Sequence, residues 1–346
     1  MMKAHPVVLL AAAALAASVL ALPAYAQTSA QLQNYFSNSI GLKDEEIAGL
    51  RSGKAVAKIL PSRTAAEIFV FGAVYIKAEP EDYVHLATDF DRLRQLPEFL
   101  AIGKFSNPPQ LSDLEGFSFD QQDMDALHDC KPGHCEVQLP AQAMDEFQQS
   151  IHWDAPGAAS EVNQLLHQRA VERLQAYEEQ GNAALGTYYD KDHPTDVARR
   201  FAYMLSYTSV LPVYLPEFYR YLLDYPKGKS PQFHDTFYWA KVKFGLKPTL
   251  RVVHLIIMRG RSASEPAYAI AEKQLYSSHY FETALDLTFC IKGGEENGFY
   301  LIKEMGSEQA GLTGLKGSLV RKVAVDRTAS SLQRSLQSVK TMLEAK

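Results

Sequence analysis

Two histidines stand alone on apolar strand faces. In the run Leu250–Met258, alternate residues Leu250, Val252, His254, Ile256 and Met258 place one imidazole among four apolar side chains. From His279 onward, one face reads His279, Phe281, Thr283, Leu285, Leu287 and Phe289, with Glu282 and Asp286 on the other. A buried imidazole without a hydrogen-bond partner costs on the order of 1–3 kcal/mol. It titrates near neutrality, so inside a cavity it can orient a ligand's polar end or move a proton. Three roles stay open for both residues: a satisfied core group, a ligand contact, or an acid–base. The candidate ligand-binding residues are His254, His279, Phe281, Thr283, Val252 and Ile256; no catalytic residue is assigned.

Three cysteines occur. Cys130 and Cys135 bracket Lys-Pro-Gly-His, and a Cys-x4-Cys spacing across a Pro-Gly turn reads as a disulfide in an oxidising compartment. His128 and His134 flank the pair and offer a metal site as the rival, but the spacing fits no common zinc pattern. Cys290 is left over in a strand-like run and reads as a packed thiol. Asp190-Lys191-Asp192-His193 precedes Pro194 and is explained by helix capping. The chain has no His-Glu-x-x-His, G-x-S-x-G, phosphate loop or dinucleotide fingerprint, and no cofactor is implied.

Charge removes further classes. The 35 basic and 40 acidic residues are mixed along the chain and leave a net charge of −5. No basic stripe marks a nucleic-acid partner and no polybasic block marks an anionic membrane. Residues 1–26 read as a signal peptide. Lys3 lies in the n-region, Val7–Ala21 is unbroken and apolar, and Ala24-Tyr25-Ala26 is an A-x-A site before Gln27. The apolar run is shorter than the roughly 20 residues a membrane helix needs. The expected destination is the periplasm of a bacterium, or secretion, with no stable membrane span.

The elements that must position these residues follow from periodicity. Residues 27–64 read as a polar, helix-like leader, with Asp44 as an N-cap. Residues 65–346 read as one α+β domain, with a helical insertion at about 140–225. Ile68–Lys77 alternates and is a strand, and Glu79-Pro80-Glu81-Asp82 starts a helix. Phe99–Ser106 and Leu114–Phe119 read as short strands. Ala158–Gln180 is the strongest helix of the middle region and ends at Gly181. Tyr214, Phe218, Tyr221 and Tyr225 form an aromatic stripe that suits either packing or a wall over an apolar ligand. Phe237–Phe244, Leu250–Met258, Ala267–Tyr276, His279–Ile291 and Gly298–Met305 form an antiparallel meander, with Lys247-Pro248-Thr249 as a turn. Asp326 then caps a closing helix with Ala329, Leu332, Leu336, Val339 and Leu343 on one face.

The run Ile68–Lys77 into Ala78-Glu79-Pro80-Glu81-Asp82-Tyr83-Val84, together with Val320–Leu343 at the end, resembles the helix-grip fold of the START and polyketide-cyclase-like superfamily. The resemblance covers about Ala65–Phe119 and Gln232–Glu344. It leaves out Gln27–Thr64 and the helical stretch Pro140–Tyr225. It implies an antiparallel curved sheet packed on a long C-terminal helix, with an apolar cavity between them for a lipid, sterol or polyketide-like molecule. The fold class expected is therefore α+β, helix-grip-like, with an inserted helical layer. The function expected is an exported protein that binds a hydrophobic small molecule. A cyclase, dehydratase or hydrolase using His254 or His279 is the alternative, and an envelope interaction protein is a further one.

Overall fold

The computed structural model describes residues 24–208, 210–244, 247–262, 265–293, 297–312 and 314–345. Most of the expected signal peptide thus lies outside the described residues, which begin in helix α1 (Ala24–Asn34). A short π-helix (Tyr35–Ser39) and α2 (Asp44–Arg51) follow. Lys43, not Asp44, is the N-cap of α2.

The strand alternation holds through most of the chain. The large sheet is built from β1 (Val56–Leu60), β2 (Glu67–Ile76), β3 (Phe99–Lys104) and the meander β6 (Phe233–Phe244), β7 (Lys247–Arg259), β8 (Tyr268–Ser277), β9 (Phe281–Lys292) and β10 (Phe299–Gln309). Between β3 and β6 the described residues form a two-stranded ladder, β4 (Thr187–Tyr188) with β5 (Thr195–Asp196), and an isolated bridge between Lys131 and His134. The large sheet is curved and antiparallel, with strand order β1-β2-β10-β9-β8-β7-β6-β3.

Helices cover both faces. After β2 come α3 (Pro80–Thr88), with Pro80 in its first turn, and α4 (Phe90–Leu93). The middle region holds α5 (Gln121–His128), α6 (Ala141–Ser150), α7 (Ala158–Gln180), α8 (Val197–Leu205), α9 (Val210–Tyr214) and α10 (Pro216–Asp224). The last element is α11 (Gly314–Glu344). Gly181 ends α7 with φ +63°, where any side chain would also collide with the carbonyl of Tyr225.

Two apolar cores result, one per sheet face. Phe71, Val252, Ile256, Leu275, Leu287 and Ile302 face the helices of the middle region. Val70, Val74, Leu255, Ile257, Cys290 and Leu301 face the other way and pack with Leu332 and Leu336 of α11. Gly72 makes the second contact close. A Cβ there would lie 2.7–2.8 Å from Leu332 and Leu336, so α11 rests on bare backbone at β2.

Four sequence expectations change. The leader region contains strand β1. Leu114–Phe119 is not a strand: a 3-10 turn spans Leu111–Leu114, and Phe117 and Phe119 are buried without pairing. Lys247-Pro248-Thr249 belongs to β7, where Pro248 sits opposite Lys243. Asp326 lies inside α11, which starts at Gly314. Of the β-branched residues in that stretch, Val325 packs in the core under α11, while Val320 and Val323 are exposed.

Candidate functional site

His254 is the centre of a hydrogen-bonded relay. It is fully buried on β7, facing α7. Its Nε2 lies 2.9 Å from Asp235 Oδ1 on β6, and its Nδ1 lies 3.1 Å from the hydroxyl of Tyr177 on α7. With a carboxylate at Nε2, the ring proton belongs there and Nδ1 accepts from Tyr177. Tyr177 in turn accepts from Lys273 Nζ at 3.0 Å, and Lys273 also donates to Asn182 Oδ1. Asp235 accepts a second bond from the Tyr221 hydroxyl at 2.8 Å. The relay therefore crosses β6, β7, β8 and α7.

Burial sets its protonation. It pushes the His254 pKa down to about 4, against the raising influence of Asp235, so the ring is neutral at pH 7. Burial would raise the Asp235 pKa, but the hydrogen bonds from His254 and Tyr221 and the nearby Lys229 ammonium hold the carboxyl below its usual range. Lys273 is fully enclosed, and burial pulls its pKa well below the ordinary value. Its ammonium end lies 4.2 Å from the ring centre of Phe201.

Beside the relay, a cavity of about 370 Å³ opens between the sheet and helices α6 and α7. Tyr177 lines it and is the member of the relay that does. Phe117, Phe147, Leu166, Leu174, Val252 and Leu275 give it an apolar wall. Phe117 is fixed through its carbonyl, 2.7 Å from His167 Nε2. A bulge in β8 shapes the floor. Val252 pairs with Tyr276 and Val253 with Gln274, which leaves Leu275 as the extra residue. Leu275 and Tyr276 consequently both face the cavity, against the usual alternation. Arg169, Arg173, Glu146 and Glu172 supply the charges that line it.

His279 serves elsewhere. Its Nε2 lies 2.9 Å from Asp123 Oδ1 on α5 and its Nδ1 lies 3.0 Å from the carbonyl of Glu136. It ties the Cys130–Cys135 loop to the sheet, and the two sulfurs are joined as the spacing predicts. Among the described residues no group of three or more His, Cys, Asp or Glu side chains could hold a metal ion.

The six expected ligand contacts do not share one cavity. Val252 lines the large one, and His254 reaches it through Tyr177. Ile256 is buried further along β7. Thr283 is fully buried on the same face as His254. Phe281 faces α11, because a second bulge at Glu282 reverses the alternation: Thr283 pairs with Glu308 and Phe281 with Gln309. Phe281 lines a smaller cavity of about 180 Å³ between sheet and α11, with Arg251, Asp286 and Thr328. The cavity that Val252 lines is thus on the sheet face opposite the C-terminal helix, under α6 and α7. Phe218, Tyr221 and Tyr225 of the aromatic stripe pack on Phe233, Phe237 and His254, while Tyr214 is half exposed. A third cavity, of about 270 Å³, holds the Glu304 carboxyl against the Tyr35 hydroxyl.

Sequence reasoning missed Tyr177, Asp235, Lys273, Arg173 and Tyr276. Lys273 did carry a signal: it falls on the same face as Ala269, Ala271 and Leu275, which is otherwise apolar. No family model matches the chain, and no curated protein matches it.

Proposed function

We propose that this is an exported protein that binds a hydrophobic small molecule in the cavity between the sheet and helices α6 and α7. The observation that carries the reading is the cavity itself: about 370 Å³, lined mostly by apolar side chains, with charged residues on α6 and α7. That is the size and character of a small-molecule site. Export is supported by the Cys130–Cys135 disulfide, which persists in oxidising compartments, and by the signal-like residues 1–26. No described helix is long and apolar enough to cross a membrane. The helix-grip resemblance placed a ligand under the C-terminal helix; the reading here moves it to the opposite face.

Native mass spectrometry of protein purified from its host, followed by solvent extraction, tests the proposal. A co-purifying apolar molecule is expected, and Ala170→Phe, which fills the cavity beside Leu166 and Leu174, should abolish its retention. An empty protein that takes up no lipid from a broad mixture overturns it.

One observation favours a second reading, an enzyme acting in the cavity. Tyr177 lines the cavity while its hydroxyl is held by His254 and Lys273. In that reading Tyr177 exchanges a proton with the bound molecule, and His254, backed by Asp235, takes up the proton. Mass analysis of the recovered ligand before and after incubation decides it. A product formed by the native protein and lost in His254→Gln supports catalysis, and an unchanged ligand rules it out.

A further inference from the structure

The cavity of about 270 Å³ holds an acid without a counter-charge. It lies between β2, β9 and β10 on one side and α8 with the Tyr35–Ser39 π-helix on the other, and it shares no lining residue with the larger cavity. Leu60, Phe69, Met204, Leu285, Leu287 and Met305 give it apolar walls. Among the described residues that line it, Glu304 alone carries a charge. Glu304 stands on β10 between Phe71 of β2 and Leu287 of β9, on the face that the middle helices cover. One carboxylate oxygen accepts from the Tyr35 hydroxyl. The other has no partner among the described residues, and the side chain is only partly buried where it meets the cavity. The guanidinium of Arg63 comes within 5.0 Å of the ring centre of Tyr207, which also lines the cavity, but Glu67 holds it at 2.9 Å.

A carboxylate among apolar side chains is costly while it is charged and unpaired. Burial pushes the Glu304 carboxyl above its ordinary range, and the Tyr35 hydrogen bond, with no cation to help it, is what opposes the rise. Tyr35 is held edge-on by Phe71 at 6.1 Å, so its hydroxyl fixes one oxygen and leaves the second for a guest. An ammonium supplies both things the second oxygen lacks, a donor and a positive charge. An alcohol supplies only the donor, and an acid would add a second negative charge.

We propose that this cavity is a second binding site, for a primary amine on an apolar body, with its ammonium on the Glu304 oxygen that Tyr35 leaves open. The ammonium donates to the carboxylate and neutralises it, and the carbon chain lies against Phe69, Leu285 and Leu287. The site does not depend on the ligand of the larger cavity, so the two can be tested apart.

Octylamine and octan-1-ol share a chain and differ in charge, since an alkylamine is protonated at pH 7.5. Titration calorimetry at that pH should show octylamine binding on the order of tenfold more tightly than the alcohol. Glu304→Gln should weaken octylamine by about tenfold and leave octan-1-ol unchanged. Its amide oxygen can still accept from Tyr35, which favours folding of the variant. Leu285→Phe, which narrows this cavity, should weaken octylamine, and Ala170→Phe, in the larger cavity, should not. These two variants locate the site if Glu304→Gln does not fold. Equal binding of amine and alcohol, unchanged amine binding in Glu304→Gln, or a loss in Ala170→Phe overturns the proposal and leaves the reading of the larger cavity in place. Failure of octylamine to bind the native protein overturns it as well.

Discussion

One face of the sheet carries the long helix α11 with α3 beside it, and the other a layer of several helices led by α7. On the first face, Leu332 and Leu336 of α11 press onto β2 where Gly72 lets the helix approach. On the second, α6 and α7 leave a cavity of about 370 Å³, and α8 with the Tyr35–Ser39 π-helix leaves another of about 270 Å³. Both faces also hold titratable groups, but differently. Beside α11, burial and then the Glu272 charge raise Asp286, while Tyr83 and the charges of Glu272 and Asp286 raise Lys303. Beside α7, each polar atom of His254 has one matched partner. Both faces keep space beside their helices, about 180 Å³ under α11 and about 370 Å³ beside α6 and α7, and the second has the more apolar wall.

The comparison can be broken by cutting the same residue type on each face. Leu336→Ala should cost about 3 kcal/mol of stability, because a well-packed helix cannot collapse onto the gap. Denaturant unfolding measures it, and a loss under 1 kcal/mol would mean that α11 is not the firm side. Leu174→Ala, on the cavity wall, should cost less, about 2 kcal/mol, because part of its surface already faces space. The same variant should accept a bulkier ligand. If it costs as much as Leu336→Ala, the two faces are equally packed.

Asp123→Ala should cost about 1.5 kcal/mol by leaving His279 Nε2 unpaired, and should leave ligand binding unchanged. A loss of binding in this variant would bring His279 back into the site. The smallest net effect is expected from acid, because the two faces respond with opposite signs. The folded pKa of His254 is about 4, below its ordinary 6.5, so its contribution is full above pH 6.5 and is lost as pH falls towards 4. Burial, and then the Glu272 charge, raise Asp286 from 3.8 to about 6, so its contribution is full below pH 3.8 and is lost as pH rises through about 6. Stability curves between pH 4 and 6.5 should therefore fall more steeply on acidification in Asp286→Asn and less steeply in His254→Gln. Curves parallel to the native one in both variants would refute the assignment.

The strands were legible wherever side chains alternate without interruption, as in β2, β6 and β7. So were α7, stopped at Gly181, and the Cys130–Cys135 pair. The alternation misleads at the two bulges, because one extra residue turns Phe281 to the α11 face and brings Leu275 and Tyr276 to the same side. Of the site, the sequence showed His254 beside Val252 on one apolar face. It did not show that α7 crosses that face, so Tyr177 and Arg173, on a helix far away in sequence, could not be joined to it. Asp235 was overlooked for a different reason: it precedes the stretch where β6 begins to alternate clearly.

The sheet order has a consequence for assembly. β2 pairs along its whole length with β10, so Glu67–Ile76 finds its partner in Phe299–Glu308. β6 to β10 can form one after another as neighbouring hairpins, but β1 and β2 cannot join them until nearly the whole chain is present. Helix α11 arrives last of all and lands on β2. Contacts of such long sequence separation are slow to close. A chain made from its N-terminus onward can pair β2 with β1 early, but the β10 edge of Glu67–Ile76 and the face that α11 covers stay open until the end of synthesis.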